Sequence, residues 1–161
     1  MKTNNRRLQL PFLLLLFSTL IISCGDRVYF SDVSVFQSNE WKSTEVATFT
    51  IDIKDNTQPY DINFLIRNSG QYQFANLWLF LTIVDPDNEV VNEKFDCRLA
   101  REDGKWLGRH VAGYFDNTVA YKTGYKFEKL GKYTFSFEQG MRVDPLPAIN
   151  GAGIQIRFSE Q

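Results

Sequence analysis

One histidine and two cysteines in 161 residues set the first limits. With His110 as the sole histidine, a His-rich metal site is excluded, and any Ser-His-Asp triad would have to use that one residue. Its setting, Gly108-Arg109-His110-Val111, reads as a loop or strand edge. Charge is balanced, with a formal net charge of -1, a pI of about 5.8 and no long Lys/Arg block. That excludes a polybasic nucleic-acid arm. No apolar run reaches the roughly 20 residues that a spanning helix needs. A nucleophile elbow, an H-E-x-x-H pair, a P-loop and a dinucleotide fingerprint are all absent. No stretch of about 12 residues carries a 3.6-residue apolar period, and no internal repeat or low-complexity tract is present.

What is abundant is aromatic: 14 Phe, 7 Tyr and 3 Trp. Aromatic-rich chains with few helix formers favour β structure. The 43% hydrophobic and 23% charged content excludes a disordered chain.

Residues 1–23 read as a secretion signal. Lys2, Arg6 and Arg7 form a basic start, and Leu8 to Ile22 form a nearly unbroken apolar run. The run ends in Ile21-Ile22-Ser23-Cys24-Gly25, which resembles the lipobox of bacterial lipoproteins. In that class the Cys sulfur is diacylated, the chain is cut just before it, and the new amino group is acylated. Cys24 is therefore the expected lipidation site, with 24–27 a short tether and 28–161 a single domain. Several acyl chains anchor stably where one does not. Losing Lys2, Arg6 and Arg7 leaves a mildly acidic chain, so the lipid, not surface charge, would hold it to a membrane. A lipidated Cys24 also leaves Cys97 without a disulfide partner.

Period-two alternation dominates the rest. Ala47, Phe49, Ile51 and Ile53 share one face of 46–53. Val91, Phe95, Cys97 and Leu99 share a face of 91–99. Tyr133, Phe135 and Phe137 do so in 132–138, and Ile154, Ile156 and Phe158 in 153–158. Residues 28–36 and 60–67 are weaker strands. Residues 77–84 are apolar on both faces, which predicts a central strand covered on both sides. Asp85-Pro86-Asp87-Asn88 predicts a hairpin turn, Asp103-Gly104 a second turn, and Leu130-Gly131 and Asn150-Gly151 the entries to the last two strands. Residues 108–126 are not assigned. The sum is an all-β chain, an antiparallel β-sandwich of jelly-roll or immunoglobulin-like type.

Chemistry-bearing candidates are few. The oxygens of Asp85-Pro86-Asp87-Asn88-Glu89 lack the spacing that wraps Ca²⁺ and read as a solvated turn. Cys97 reads as a buried structural thiol. Trp78 and Phe80 would be a sugar-stacking platform if their face were open, but the doubly apolar run favours a covering layer. Glu138-Gln139-Gly140-Met141-Arg142 reads as a satisfied polar network or a contact site. No metal, no cofactor beyond the lipid, no nucleic acid and no small-molecule substrate is expected.

A set of words along the chain resembles the gliding-motility lipoprotein GldH family of the Bacteroidota. They are Val28-Tyr29-Phe30, Trp41, Pro59-Tyr60, Ile66-Arg67-Asn68, Asn76-Leu77-Trp78-Leu79-Phe80, Cys97-Arg98-Leu99-Ala100, Asp103-Gly104-Lys105-Trp106-Leu107-Gly108, Asp116-Asn117, Gly131-Lys132-Tyr133-Thr134-Phe135, Glu138-Gln139-Gly140-Met141-Arg142 and Leu146-Pro147. Two positions depart from the pattern: Gly140 stands in place of alanine, and Ala148 in place of glycine. The resemblance implies a non-enzymatic lipoprotein of the cell envelope, on the periplasmic side of the outer membrane. It further implies a tie to gliding motility and, through shared machinery, to type IX secretion, with other lipoproteins as partners. Trp106, Arg109 and Arg142 are the candidate partner-binding residues, since exposed Trp and Arg anchor interfaces. The alternative is a periplasmic or surface glycan-binding module.

Overall fold

A computed structural model describes residues 27–159. Cys24 and residues 1–23 lie outside the described residues. Eleven strands run β1 (Val28–Val35), β2 (Glu40–Trp41), β3 (Ala47–Ile53), β4 (Tyr60–Ser69), β5 (Asn76–Val84), β6 (Val90–Arg98), β7 (Arg109–Val111), β8 (Tyr114–Tyr125), β9 (Gly131–Gln139), β10 (Leu146–Pro147) and β11 (Ile149–Phe158). Among the described residues the one helical element is a 3₁₀ turn at Gln37–Asn39.

The strands form a five-stranded sheet in the order β1-β11-β4-β8-β7, a four-stranded sheet in the order β3-β9-β5-β6, and the short pair β10-β2. All pairings are antiparallel. The long strands alternate between sheets so that sequence-distant strands become neighbours. This is the jelly-roll solution to covering two half-buried sheets.

The alternation expected from the sequence explains the packing. Phe49, Ile51 and Ile53 of β3, Leu77, Leu79 and Leu81 of β5, and Tyr133, Phe135 and Phe137 of β9 all face inward and are buried. They meet Ile62, Phe64 and Ile66 of β4 and Ile154 and Ile156 of β11 across the sandwich. Phe127 closes one end, its ring 5.5 Å from Tyr60, 5.0 Å from Tyr125 and 4.8 Å from Tyr133. Tyr29 reaches across at this end, donating its hydroxyl to the Asp52 carbonyl at 2.7 Å. The other end is plugged by Trp41, fully buried and stacked on Phe36 at 4.5 Å.

The stretch left unassigned becomes β7 and β8, joined by Ala112 and Gly113. Both have left-handed φ, 50° and 87°, as a two-residue hairpin turn with right-handed strand twist requires. Asn150-Gly151 does not precede the last strand but lies inside it. The register shifts between Ile149 and Gly151, and the chain reverses earlier, at Ala148. Ala148 has φ 65°, a left-handed value that favours glycine.

The 77–84 strand is interior to its sheet, between β9 and β6, as expected. It is not covered on both sides. Trp78 and Phe80 are each 43% exposed, because among the described residues the sandwich has two layers and none lies over this sheet. Val91, expected inward, is likewise exposed.

Cys97 is fully buried, as its alternation predicts, and burial pushes its thiol up to about 12. In native protein at pH 8 it is expected to be inert to a disulfide reagent and to react once urea unfolds the chain. Fast stoichiometric labelling of the native Cys97 thiol would contradict its burial.

Candidate functional site

A groove of about 570 Å³ runs over the outer face of the four-stranded sheet. Its floor is Trp78 and Phe80. Period two puts them on the face opposite Leu77, Leu79 and Leu81, which the core consumes. Register then selects their neighbours. Trp78 is paired with Asp96, and Phe80 with Lys94 on β6 and Glu138 on β9. Directly paired residues share a face, so two carboxylates and an ammonium flank the rings. Lys94 Nζ lies 5.5 Å from the Phe80 ring centroid. Asn76 donates its amide to Asp96 Oδ1 at 2.7 Å.

The groove wall is the loop after β9. Gly140 donates its N–H to the Trp78 carbonyl at 2.7 Å. A Cβ at 140 would stand 3.2 Å from that oxygen and 3.3 Å from Trp78 Cβ, so the bare backbone is what permits the close approach. The Trp78 N–H points to Met141 Sδ at 3.4 Å. Buried Gln139 clamps the loop from beneath: it accepts the Met141 N–H at 2.8 Å and donates to the Val143 carbonyl at 3.1 Å. Asp144 fixes the far side, accepting the Ser43 N–H at 2.8 Å and the Ser43 hydroxyl at 2.6 Å. Those two bonds hold its carboxyl below the usual range. The Glu138–Arg142 word is thus both a satisfied network, through Gln139, and a groove wall, through Met141 and Arg142.

The other candidates resolve individually. Trp106 is half-buried, its ring 6.3 Å from Tyr72 and 5.6 Å from Phe115. Arg109 is exposed on the edge strand β7, opposite Asp116. Arg142 is exposed on the groove wall. Trp106, Arg109 and Arg142 lie at one end of the sandwich, on three different elements. His110 is exposed, its ring 5.0 Å from Phe115. The Asp85–Glu89 turn closes the β5–β6 hairpin. Lys129 Nζ occupies its centre, 2.6 Å from Asp85, 2.7 Å from Asp87 and 3.4 Å from Glu89. That ammonium holds the Asp85 carboxyl below its ordinary range.

Two family words meet on adjacent strands. Arg67 donates from Nε and Nη2 to the two Asp116 oxygens at 2.6 and 2.9 Å, and this pairing keeps Asp116 low. Behind it, the buried Asn117 amide nitrogen lies 2.8 Å from Asn68 Oδ1 and 3.0 Å from the Ile66 carbonyl. Gly108 packs against Asn117 so closely that a Cβ would stand 2.7 Å from its Oδ1. These words are structural cement, with the Arg67–Asp116 pair still partly exposed.

Sequence reading missed two groups. Lys94 enters the groove through its register with Phe80. Glu93 lies on the inward face of β6, skipped between Val91 and Phe95, and accepts the Tyr121 hydroxyl at 2.9 Å. It lines a second cavity of about 280 Å³ between the sheets, at the opposite end from the groove.

Residues 28–156 match the family described as GldH lipoprotein. The chain belongs to the GldH lipoprotein family. It is 31% identical to the "Gliding motility lipoprotein GldH homolog" of Christiangramia forsetii, over 90% of this chain and 93% of that one. It is 27% identical to the "Gliding motility lipoprotein GldH" of Flavobacterium johnsoniae, over 89% and 93%. Among solved structures, a CBM35 domain titled "Xyl-CBM35 in complex with glucuronic acid containing disaccharide" covers 86% of this chain and 96% of that one, at 12% identity and TM-score 0.40. Among the described residues, no helix is long and apolar enough to cross a membrane.

Proposed function

We propose that this GldH-family protein is a lipid-anchored, non-enzymatic accessory or assembly subunit of the gliding-motility machinery and its linked type IX secretion. In this reading acylated Cys24 holds it to the periplasmic side of the outer membrane, and its partners are other lipoproteins of the same machinery. The observation that carries the reading is the family match, which spans the sandwich from the first residue of β1 into β11.

The fold adds an orientation. Val28 lies four residue steps after Cys24, a reach of at most about 14 Å. The Val28 end of β1 is therefore the membrane-proximal end. Phe158, Tyr60, Tyr125 and Phe127 share it. Trp106, Arg109 and Arg142 sit at the opposite end with Trp41 and Asn68, where a partner can reach them free of the bilayer. His110, engaged with Phe115, is given a packing role in this reading.

In-cell cross-linking of the tagged full chain, with a Cys24→Ala control, tests the proposal. Gliding or type IX secretion proteins are expected to be enriched over control. Their recovery is expected to fall at least about fivefold in a Trp106→Ala/Arg109→Ala/Arg142→Ala variant that keeps its strand content. Recovery of no such component above control would overturn the accessory reading, and undiminished recovery in the triple variant would remove the assigned face.

A further inference from the structure

We propose that the Trp78–Phe80 groove binds a neutral polysaccharide, stacking successive sugar rings on the two aromatic side chains. This stands independently of the accessory-subunit reading. Trp78 and Phe80 are the large aromatic side chains left open in the middle of a sheet whose opposite face is closed by Leu77, Leu79 and Leu81. Being two residues apart on one strand, they are separated by about 7 Å on a rigid surface, the order of one sugar step. An exposed π face attracts the slightly positive C–H face of a pyranose.

The polar rim supplies the rest. Sugar hydroxyls both donate and accept. Lys94, Arg142 and Asn76 offer donors, and Asp96 and Glu138, paired with Trp78 and Phe80, offer acceptors. Lys94 and Arg142 balance Asp96 and Glu138, and Arg98 on the same face lies 3.7 Å from Glu102, so charge favours an uncharged, polyhydroxylated occupant over an anionic polymer or a strongly charged peptide. Beyond the rings the same face carries hydroxyls and amides, up to the Val84–Val90 pair at its far end. Thr82 donates to Asn92 at 2.8 Å, and Thr48 lies 3.2 Å from Ser136. A polysaccharide leaving the rings would meet a surface of matching chemistry. The groove wall is held by buried Gln139 and by Asp144, so little ordering is needed on binding.

The test uses the purified full chain in detergent, titrated with chitohexaose, cellohexaose and, as an anionic comparison, polygalacturonate. Trp41 is fully buried and Trp106 is packed between rings, so a ligand-induced emission change reports chiefly on Trp78. Saturable change with a neutral hexasaccharide that persists as salt is raised is expected. By calorimetry, Trp78→Ala and Phe80→Ala are each expected to weaken binding about tenfold or more with unchanged circular dichroism, while Trp78→Phe keeps most of it. No saturable change with either neutral hexasaccharide overturns the proposal. So does binding confined to polygalacturonate and lost with salt, or binding unaffected by both alanine variants.

Discussion

Gly153→Val is expected to drive β1 out of its sheet. Gly153 pairs with Val33 at the centre of the β1–β11 ladder. A Cβ there would collide with the Asp32 carbonyl oxygen and stand 2.7 Å from Val33 Cγ2 and 3.0 Å from Val33 Cα. Two of these atoms are backbone, which cannot swing aside as the end of a long side chain can. A Cβ at Gly151 would stand 3.0 Å from the Ser34 carbonyl oxygen. The pair of glycines lets β1 lie tightly on β11. Forcing branched carbons into that seam exceeds the roughly 1–3 kcal/mol of ordinary core overpacking. The loss appears as a lower melting temperature and as new proteolysis within 28–35. The effect also reaches function, because β1 links the sandwich to the proposed Cys24 anchor. A released β1 would lengthen the tether by most of its eight residues, and the domain would lose its fixed orientation to the membrane. A variant that melts within about one degree of wild type, with β1 protected, would show that the seam yields more readily than its geometry implies.

Phe64→Ala is expected to be the most damaging single truncation in the core. Phe64 is fully buried in the middle of β4, itself central in the five-stranded sheet. Its ring stacks on Tyr121 of the neighbouring strand β8 at 4.6 Å. It meets Phe137 of β9 and Phe95 of β6 edge-on, at 4.7 and 5.2 Å across the sandwich. One side chain thus ties both sheets together. Truncating it opens a cavity with rigid aromatic walls that collapse poorly, a loss of about 3–5 kcal/mol. For a domain of this size that corresponds to a drop of roughly 10–20 °C in Tm. A urea titration checks it: the midpoint should fall with the slope unchanged, since the surface exposed on unfolding stays nearly the same. A Phe64→Leu variant should recover much of the loss, because most of the volume returns.

Much of this fold is legible in the chain because a half-buried strand writes its own period. Phe49, Ile51 and Ile53, or Tyr133, Phe135 and Phe137, face inward whichever strands they pair with. The β5–β6 hairpin is equally local, since Asp85 accepts the N–H groups of Asp87 and Glu89 within its own turn. The β7–β8 hairpin escaped notice because Ala112, a residue that rarely takes a left-handed φ, occupies its turn beside Gly113. Asn150-Gly151 misled for the opposite reason. It has turn chemistry, but its glycine serves close packing against β1.

The site divides along the same line. The words that form it, Asn76–Phe80 and Glu138–Arg142, stand 58 or more positions apart, and nothing local brings them together. Antiparallel pairing of β5 with β9 does so, placing Glu138 beside Phe80. By itself the sequence determined most of the long strands and their inward faces, the hairpin at Asp85 and the family. Each of these is a property of neighbouring residues or of a matching string. Tertiary structure alone decided the jelly-roll order and that Trp78 and Phe80 are open to solvent. An apolar outward face reads the same in sequence whether or not another layer covers it. Only the arrangement of two sheets, with none beyond the second among the described residues, leaves those rings exposed.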